Sequence, residues 1–405
     1  MSYIKLKSFL AAVLVTFPLA IDAKDLRLTV SNPTARQRTE VVEIKAAGLY
    51  GKLGIPFATP LIIRNPHGQQ QTYQLTADSL LLLEAAVSPH STMTYTVTPG
   101  KPMPMESFTE GHLYAWRVDD FTWENDRTAY RAYGPALQRT GEKAYGFDVW
   151  LKSVPGLVVA DRYRNVREAH RQAKILRDGG HKAEADSLEK AFSLHLDHGN
   201  GMDCYSVGPS LGCGTPALMI GDSIVMPYCY DKVRIIDNGP LRFTAEFIYR
   251  PVNVDGQANI VEHRLISLDK SSYFNRMTLW YDGLRKPMNY CAGIVLHEQD
   301  TESVALYADR VLYADPADNK TQRNIQIYTG ILFPDADVTT KVLPAKNIAN
   351  GIAGHLIGQG TIQRNRPVYY FGAGWTGSGV RNMEMWELEA ETFLRNLSHP
   401  LRVTY

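Results

Sequence analysis

Cysteine is scarce in this chain: four among 405 residues, at positions 204, 213, 229 and 291, with no C-x-x-C spacing. That spacing is what a structural zinc site would use, so such a site is not supported. The four sulfurs read as buried thiols or as a disulfide, and the spacing selects none of the three full pairings that four cysteines allow. An excess of one charge is missing as well. Lys and Arg number 43 against 42 Asp and Glu, a net charge of +1, and no basic tract alternates with aromatics. No long-range field gathers nucleic acid, and nucleic-acid binding is excluded from the reading. Apolar runs near the roughly 20 residues of a membrane helix are absent too. The one candidate, Phe9 to Ala20, is shorter, follows Lys5 and Lys7 and ends in Ile21-Asp22-Ala23. This is the pattern of a secretory signal peptide cleaved near Ala23, so the mature protein is expected in the periplasm or outside the cell.

What is present is mostly β pattern. Leu26 to Val30, Val41 to Ile44, Leu61 to Ile63 and Thr92 to Val97 are β-branched or apolar stretches closed by turns such as Asn32-Pro33, Asn65-Pro66-His67-Gly68 and Pro99-Gly100. Short strands at that spacing predict a β-sandwich layer over 24–100. After Pro102-Met103-Pro104, a larger β region runs through 101–405, either separate from the first layer or continuous with it. Its interruption is helical: Tyr163 to Leu176 and His181 to Leu194 flank Asp178-Gly179-Gly180, a helix stop, which predicts a helical insertion over 161–194. A last helix is predicted over Met383 to Leu397. The expected fold is mainly β, a large antiparallel β-sandwich carrying an inserted helical hairpin.

Chemistry concentrates in two stretches. His195-Leu196-Asp197-His198-Gly199-Asn200-Gly201-Met202-Asp203-Cys204-Tyr205 packs two imidazoles, two carboxylates and a phenol into eleven residues, interleaved with glycines. Earlier, Trp123-Glu124-Asn125-Asp126-Arg127 leads into Thr128 to Tyr133. A strand there would put Arg127, Ala129, Arg131 and Tyr133 on one face. Two arginines on one face are costly to bury unpaired. The face is therefore an ion-paired network, with Glu124 and Asp126 as the nearby partners, or a clamp for a substrate carboxylate. His297-Glu298, following a strand, reads as a solvated loop end that could approach the cleft, and most of the six tryptophans read as core.

The segments Arg117 to Arg127, Tyr133 to Leu137, Asp197 to Asp203, Gly208 to Gly212, Asn238 to Arg242 and Phe371 to Trp375 together resemble the exported bacterial family named domain of unknown function 4861. The resemblance covers nearly the whole mature chain, and Trp123 to Asp126 is its most specific part. It implies a galactose-mutarotase-like supersandwich and an association with uronic-acid polysaccharides such as pectin. The chain departs from the family pattern at Asn200, where a glutamate is expected.

Three functions follow. The leading one is a lyase acting on a uronate-containing poly- or oligosaccharide by β-elimination. Arg131 or Arg127 would neutralise the substrate carboxylate, His198 or His195 would take the C5 proton, and Tyr205 would protonate the leaving oxygen. Trp123, Glu124, Asp126 and Asp203 would complete the substrate site. A glycoside hydrolase or mutarotase-like enzyme would instead draw on carboxylates among Glu124, Asp126, Asp197 and Asp203. The third is a non-catalytic carbohydrate-binding protein. No cofactor is expected. A divalent ion, if held, would fall to His195, Asp197 and His198, although H-x-x-H lacks the i, i+4 spacing that sets two imidazoles on one helical face.

Overall fold

The computed structural model describes residues 25–297, 303–316, 325–334 and 337–405. The segment read above as a signal peptide, residues 1–23, lies outside them. Every strand ladder in them is antiparallel.

The N-terminal layer is a sandwich of two small sheets. One holds Leu26–Ser31, Thr92–Pro99, Leu61–Arg64 and Gln70–Gln71, and the other holds Arg38–Lys45, Leu80–Val87 and Tyr73–Leu75. Alternate apolar residues such as Leu28, Val30, Val42, Ile44, Ile63 and Val97 fill the space between them, as a period of two requires. The edge of the first sheet is closed by the end of the chain: Arg402–Thr404 pairs with Leu26–Ser31, Thr404 opposite Thr29. The second sheet also turns a face to the main body. Gln74 donates to the Arg242 carbonyl at 3.0 Å and accepts from the Leu241 and Arg242 amides at 2.8 and 2.7 Å.

The main body is a large sandwich. A nine-stranded sheet contains Lys232–Asn238, Arg242–Ile248, Gln257–Asp269, Phe274–Asp282, Val368–Trp375, Ile327–Leu332 and Arg310–Asp315. Its inner face packs against a five-stranded sheet, with Cys213–Ile220, Met288–Leu296 and Ile352–Ile362 at its centre, and a four-stranded sheet of Glu110–Tyr114, Asp120–Glu124, Ala129–Ala132 and Asp148–Trp150. Aromatic side chains weld these layers: Phe147 stacks on Phe371 with ring centres 5.4 Å apart, and Trp123 of the four-stranded sheet stacks on Phe243 of the nine-stranded one at 6.3 Å.

The helical insertion forms Val159–Asp178 and Lys182–Ala191 with the turn at Gly180, where φ is +87°. The long helix begins four residues before the expected Tyr163. The orphan amides at its start find an acceptor far away in sequence: both Glu124 oxygens accept from Val158 N, and Oε1 also accepts from Val159 N at 2.8 Å. Tyr163 faces inward onto Tyr114 and Trp150, while the outer face is charged. The last helix, Met383–Ser398, buries Trp386 and Ala390. No helix among the described residues is long and apolar enough to cross a membrane.

Candidate functional site

The His195 to Tyr205 run is a loop laid along the end of strand Asp148–Trp150. Asp197 Oδ1 accepts from the amides of Gly199 and Gly201 at 2.8 and 2.9 Å, which coils the loop on itself. Gly201 has φ +101°, and a Cβ there would fall 2.1 Å from the Leu151 carbonyl, so only glycine fits so close an approach. Arg162 of the long helix clamps the loop, donating to the Asn200 carbonyl at 2.5 Å, to Asn200 Oδ1 at 3.1 Å and to the Leu151 carbonyl at 2.8 Å. His195 Nδ1 lies 2.8 Å from the Asp203 carbonyl, and His198 Nε2 lies 3.0 Å from the Ser193 carbonyl. Both rings sit on exposed residues and point at backbone, His198 on the lip of a cavity of about 120 Å³ beside Phe192 and Val166. They do not converge, and no three His, Cys, Asp or Glu side chains among the described residues are placed to hold a metal ion.

Arg131 lies inside the protein. Its guanidinium meets Asp148, Asp203 at 3.2 Å and Asp120 at 3.7 Å, and lies over the rings of Tyr133 and Trp150. The ion-paired network is thus what the fold builds, but with partners other than Glu124 and Asp126. Burial pushes the Asp148 carboxyl up to about 7 against the pull of Arg131, and Asp203, sharing the same guanidinium, pushes the same way. Burial raises Asp120 as well.

The remaining residues of the Trp123 stretch serve the scaffold. Trp123 is fully buried and donates from Nε1 to Asn275 at 2.8 Å. Glu124 pairs with Lys152 Nζ at 2.7 Å besides capping the long helix. Asp126 accepts from the Ser271 amide at 2.6 Å. Arg127 precedes the strand instead of lying in it, exposed, with its guanidinium 4.9 Å from the centre of the Tyr273 ring. Nothing among the described residues gathers His198, Arg127 and Tyr205 around one concavity: each has a different neighbourhood.

Tyr205 has another companion. Its ring stands edge-on to His297, centres 5.9 Å apart, and its hydroxyl is buried without a hydrogen-bond partner among the described residues. His297 Nδ1 lies 2.7 Å from Asp315 Oδ2; the histidine side chain is 11% exposed and Asp315 is fully enclosed. A carboxylate at Nδ1 holds that nitrogen protonated in the neutral ring and leaves Nε2 as the basic one. Burial, then Cys213, Asp315 and Tyr313, drives the Tyr205 hydroxyl well above its ordinary range. His355 stands close by, accepting from the Leu211 amide at 3.3 Å, and burial followed by the proximity of His297 lowers it to about 4. Asp148 also acts on Tyr205 electrostatically, so one polar seam runs from the Arg131 network through Tyr205 to His297 and Asp315.

The sequence pattern described as "Domain of unknown function (DUF4861)" matches residues 30–403. The chain belongs to DUF4861. An uncharacterized protein P7 of Formosa agariphila is 27% identical over 346 residues, covering 81% of this DUF4861 chain and 78% of P7. Two solved structures overlap it partially. An alpha-mannosidase from Enterococcus faecalis V583 has a TM-score of 0.44 at 10% identity over 96% of this chain and 46% of that one. A protein in the glycosyl hydrolase family 38 from Enterococcus faecalis has a TM-score of 0.45 at 8% identity, over 93% and 47%. The DUF4861 chain spans about half the length of each.

Within this DUF4861 chain, the groups missed by spacing arguments are Asp148, Lys152, Asp315 and His355. Asp148 carried a readable signal, since a carboxylate between Phe147 and Val149 in an apolar strand needs a buried partner. Asp315 and His355 carried none, because their partners come from other strands. His297 is a correction: it is no solvated loop end but a mostly enclosed, carboxylate-bound ring, while Glu298 lies outside the described residues.

Proposed function

We propose that the protein is an exported enzyme, periplasmic or secreted, that acts on a uronate-containing oligo- or polysaccharide by β-elimination. The observation that carries this reading is the Asp315-bound His297 set against the buried Tyr205 hydroxyl. Elimination requires a base for the C5 proton and an acid for the departing oxygen at C4, and the substrate carboxylate makes that proton acidic enough to remove. His297, oriented through Nδ1 by Asp315, takes the C5 proton at Nε2. Tyr205, which burial keeps protonated, gives its proton to the leaving oxygen as the C4–O bond breaks, and the ring gains a C4–C5 double bond. The proton on His297 then returns through solvent to the tyrosinate.

The test is direct. Incubated with polygalacturonate, glucuronan and ulvan-type substrates, the protein should raise the ultraviolet absorbance of an unsaturated uronide. New reducing ends without that absorbance would overturn elimination and favour hydrolysis, the second reading, which the raised Asp148 carboxyl supports because a general acid must hold a proton near neutrality.

A further inference from the structure

A second site stands at the opposite end of the five-stranded sheet. The turns that follow Phe274–Asp282 and Ile352–Ile362 lie side by side and enclose a cavity of about 510 Å³ lined by Trp280, Asp282, Arg285, Gln363, Arg364 and Arg366. Three arginines and one aspartate thus line the same space. None of the three arginines is ion-paired among the described residues, in contrast to Arg131, Arg242 and Arg264, whose carboxylate partners are close. In a chain of net charge +1 this concentration is a property of the patch, not of the bulk.

The cavity is braced. Gln363 Nε2 donates to the Arg285 carbonyl at 2.8 Å, which ties one turn to the other. Gln257 Oε1 accepts from the amides of Arg285 and Lys286 at 2.8 and 2.9 Å. Arg366 lies over Trp280, 4.6 Å from the ring centre, and Trp280 is stacked in turn on His263 at 4.8 Å. The register that pairs Thr278 with Val368 brings Arg366 to that position across adjacent strands. Asp282, the one acid in the wall, is engaged by His263 Nε2 at 3.2 Å. With the indole occupied by Arg366 and His263, the wall offers guanidinium forks, which match carboxylate geometry, rather than a bare ring for stacking a neutral sugar.

We propose that this cavity is a non-catalytic binding site for the carboxylates of an acidic polysaccharide. It lies at the Met288 end of strand Met288–Leu296 and His297 follows the other end. The two sites are therefore roughly 30 Å apart at about 3.3 Å per strand residue, so a chain held at the arginines is kept near the seam without entering it. The substrate class rests on the uronate reading above; the site itself requires no catalytic step.

Electrophoresis of the full mature chain through native gels containing polygalacturonate, dextran sulfate or neutral dextran tests this. Retardation by polygalacturonate and none by dextran is expected, with at least tenfold weaker retardation in an Arg285→Ala/Arg364→Ala/Arg366→Ala variant and full retardation in Tyr205→Phe. An Arg285→Glu single variant, with a melting curve matched to the parent, guards against a folding defect and should also lose retardation. No retardation, equal retardation in the triple variant, or retardation by dextran sulfate alone overturns the proposal. A protein that is retarded yet yields no unsaturated product would keep this site and sink the elimination reading instead.

Discussion

Lys152 Nζ donates to Glu124 Oε2 at 2.7 Å, with both side chains no more than 2% exposed. The same glutamate caps the long helix, so one carboxylate joins the four-stranded sheet to the helical insertion. Removing the cation leaves a buried carboxylate facing only amides. Lys152→Met should lower the unfolding free energy by about 3–5 kcal/mol, read from urea denaturation. A loss below about 1 kcal/mol would show that the pair does not hold this junction.

Tyr205 and His297 are predicted to separate stability from activity. The Tyr205 hydroxyl makes no hydrogen bond among the described residues, so Tyr205→Phe should change stability by less than about 1 kcal/mol. If Tyr205 is the acid, kcat on the responsive uronide should fall by about 10²–10⁴-fold. Asp315→Asn should depress kcat and displace the acidic limb of the pH–rate profile, where the base loses its proton, because it disturbs the His297 ring that Asp315 holds. Wild-type rates in Tyr205→Phe would remove the tyrosine from the mechanism.

His195 and His198 should be dispensable. Both are exposed and bonded only to backbone carbonyls, so His198→Ala should stay within about 0.5 kcal/mol of the parent in stability. Its turnover should also be unchanged. A hundredfold drop in kcat would return catalysis to the glycine-rich loop.

Acid should weaken the fold through His355. Its folded value of about 4 lies below the unfolded 6.5, chiefly from burial and then from His297. The unfolded chain therefore takes up the proton first, and the contribution of the neutral ring is complete above pH 6.5 and lost as pH falls toward 4. The expected loss is about 2 kcal/mol, discounted from the full shift because the ring is only partly enclosed. Urea unfolding across that range should show the slope, and His355→Gln should flatten it.

Much of this architecture can be read from local pattern. The period-two strands of the N-terminal layer, the Gly179-Gly180 stop between two helices and the Met383 helix each depend on neighbours a few residues away, where burial and turn chemistry act directly on sequence. The density of chemistry at His195 to Tyr205 was equally visible, but density was a poor guide to use: Asp197 and the glycines shape the loop, and Asp203 and Tyr205 reach the seam while the two histidines do not. Pairings across the sandwich had no such trace. Arg131 meets Asp148 and Asp203 rather than Glu124 and Asp126, and Tyr205 meets His297 rather than His198, because strand order and sheet packing decide which distant side chains share an enclosed space. Arg285 and Arg366, eighty-one positions apart, share a cavity for the same reason. The sequence by itself determined which segments would be strands and helices and which residue types were at hand. Tertiary structure alone decided their partners, since the cost of burying a charge or a hydroxyl is set by what folding brings against it.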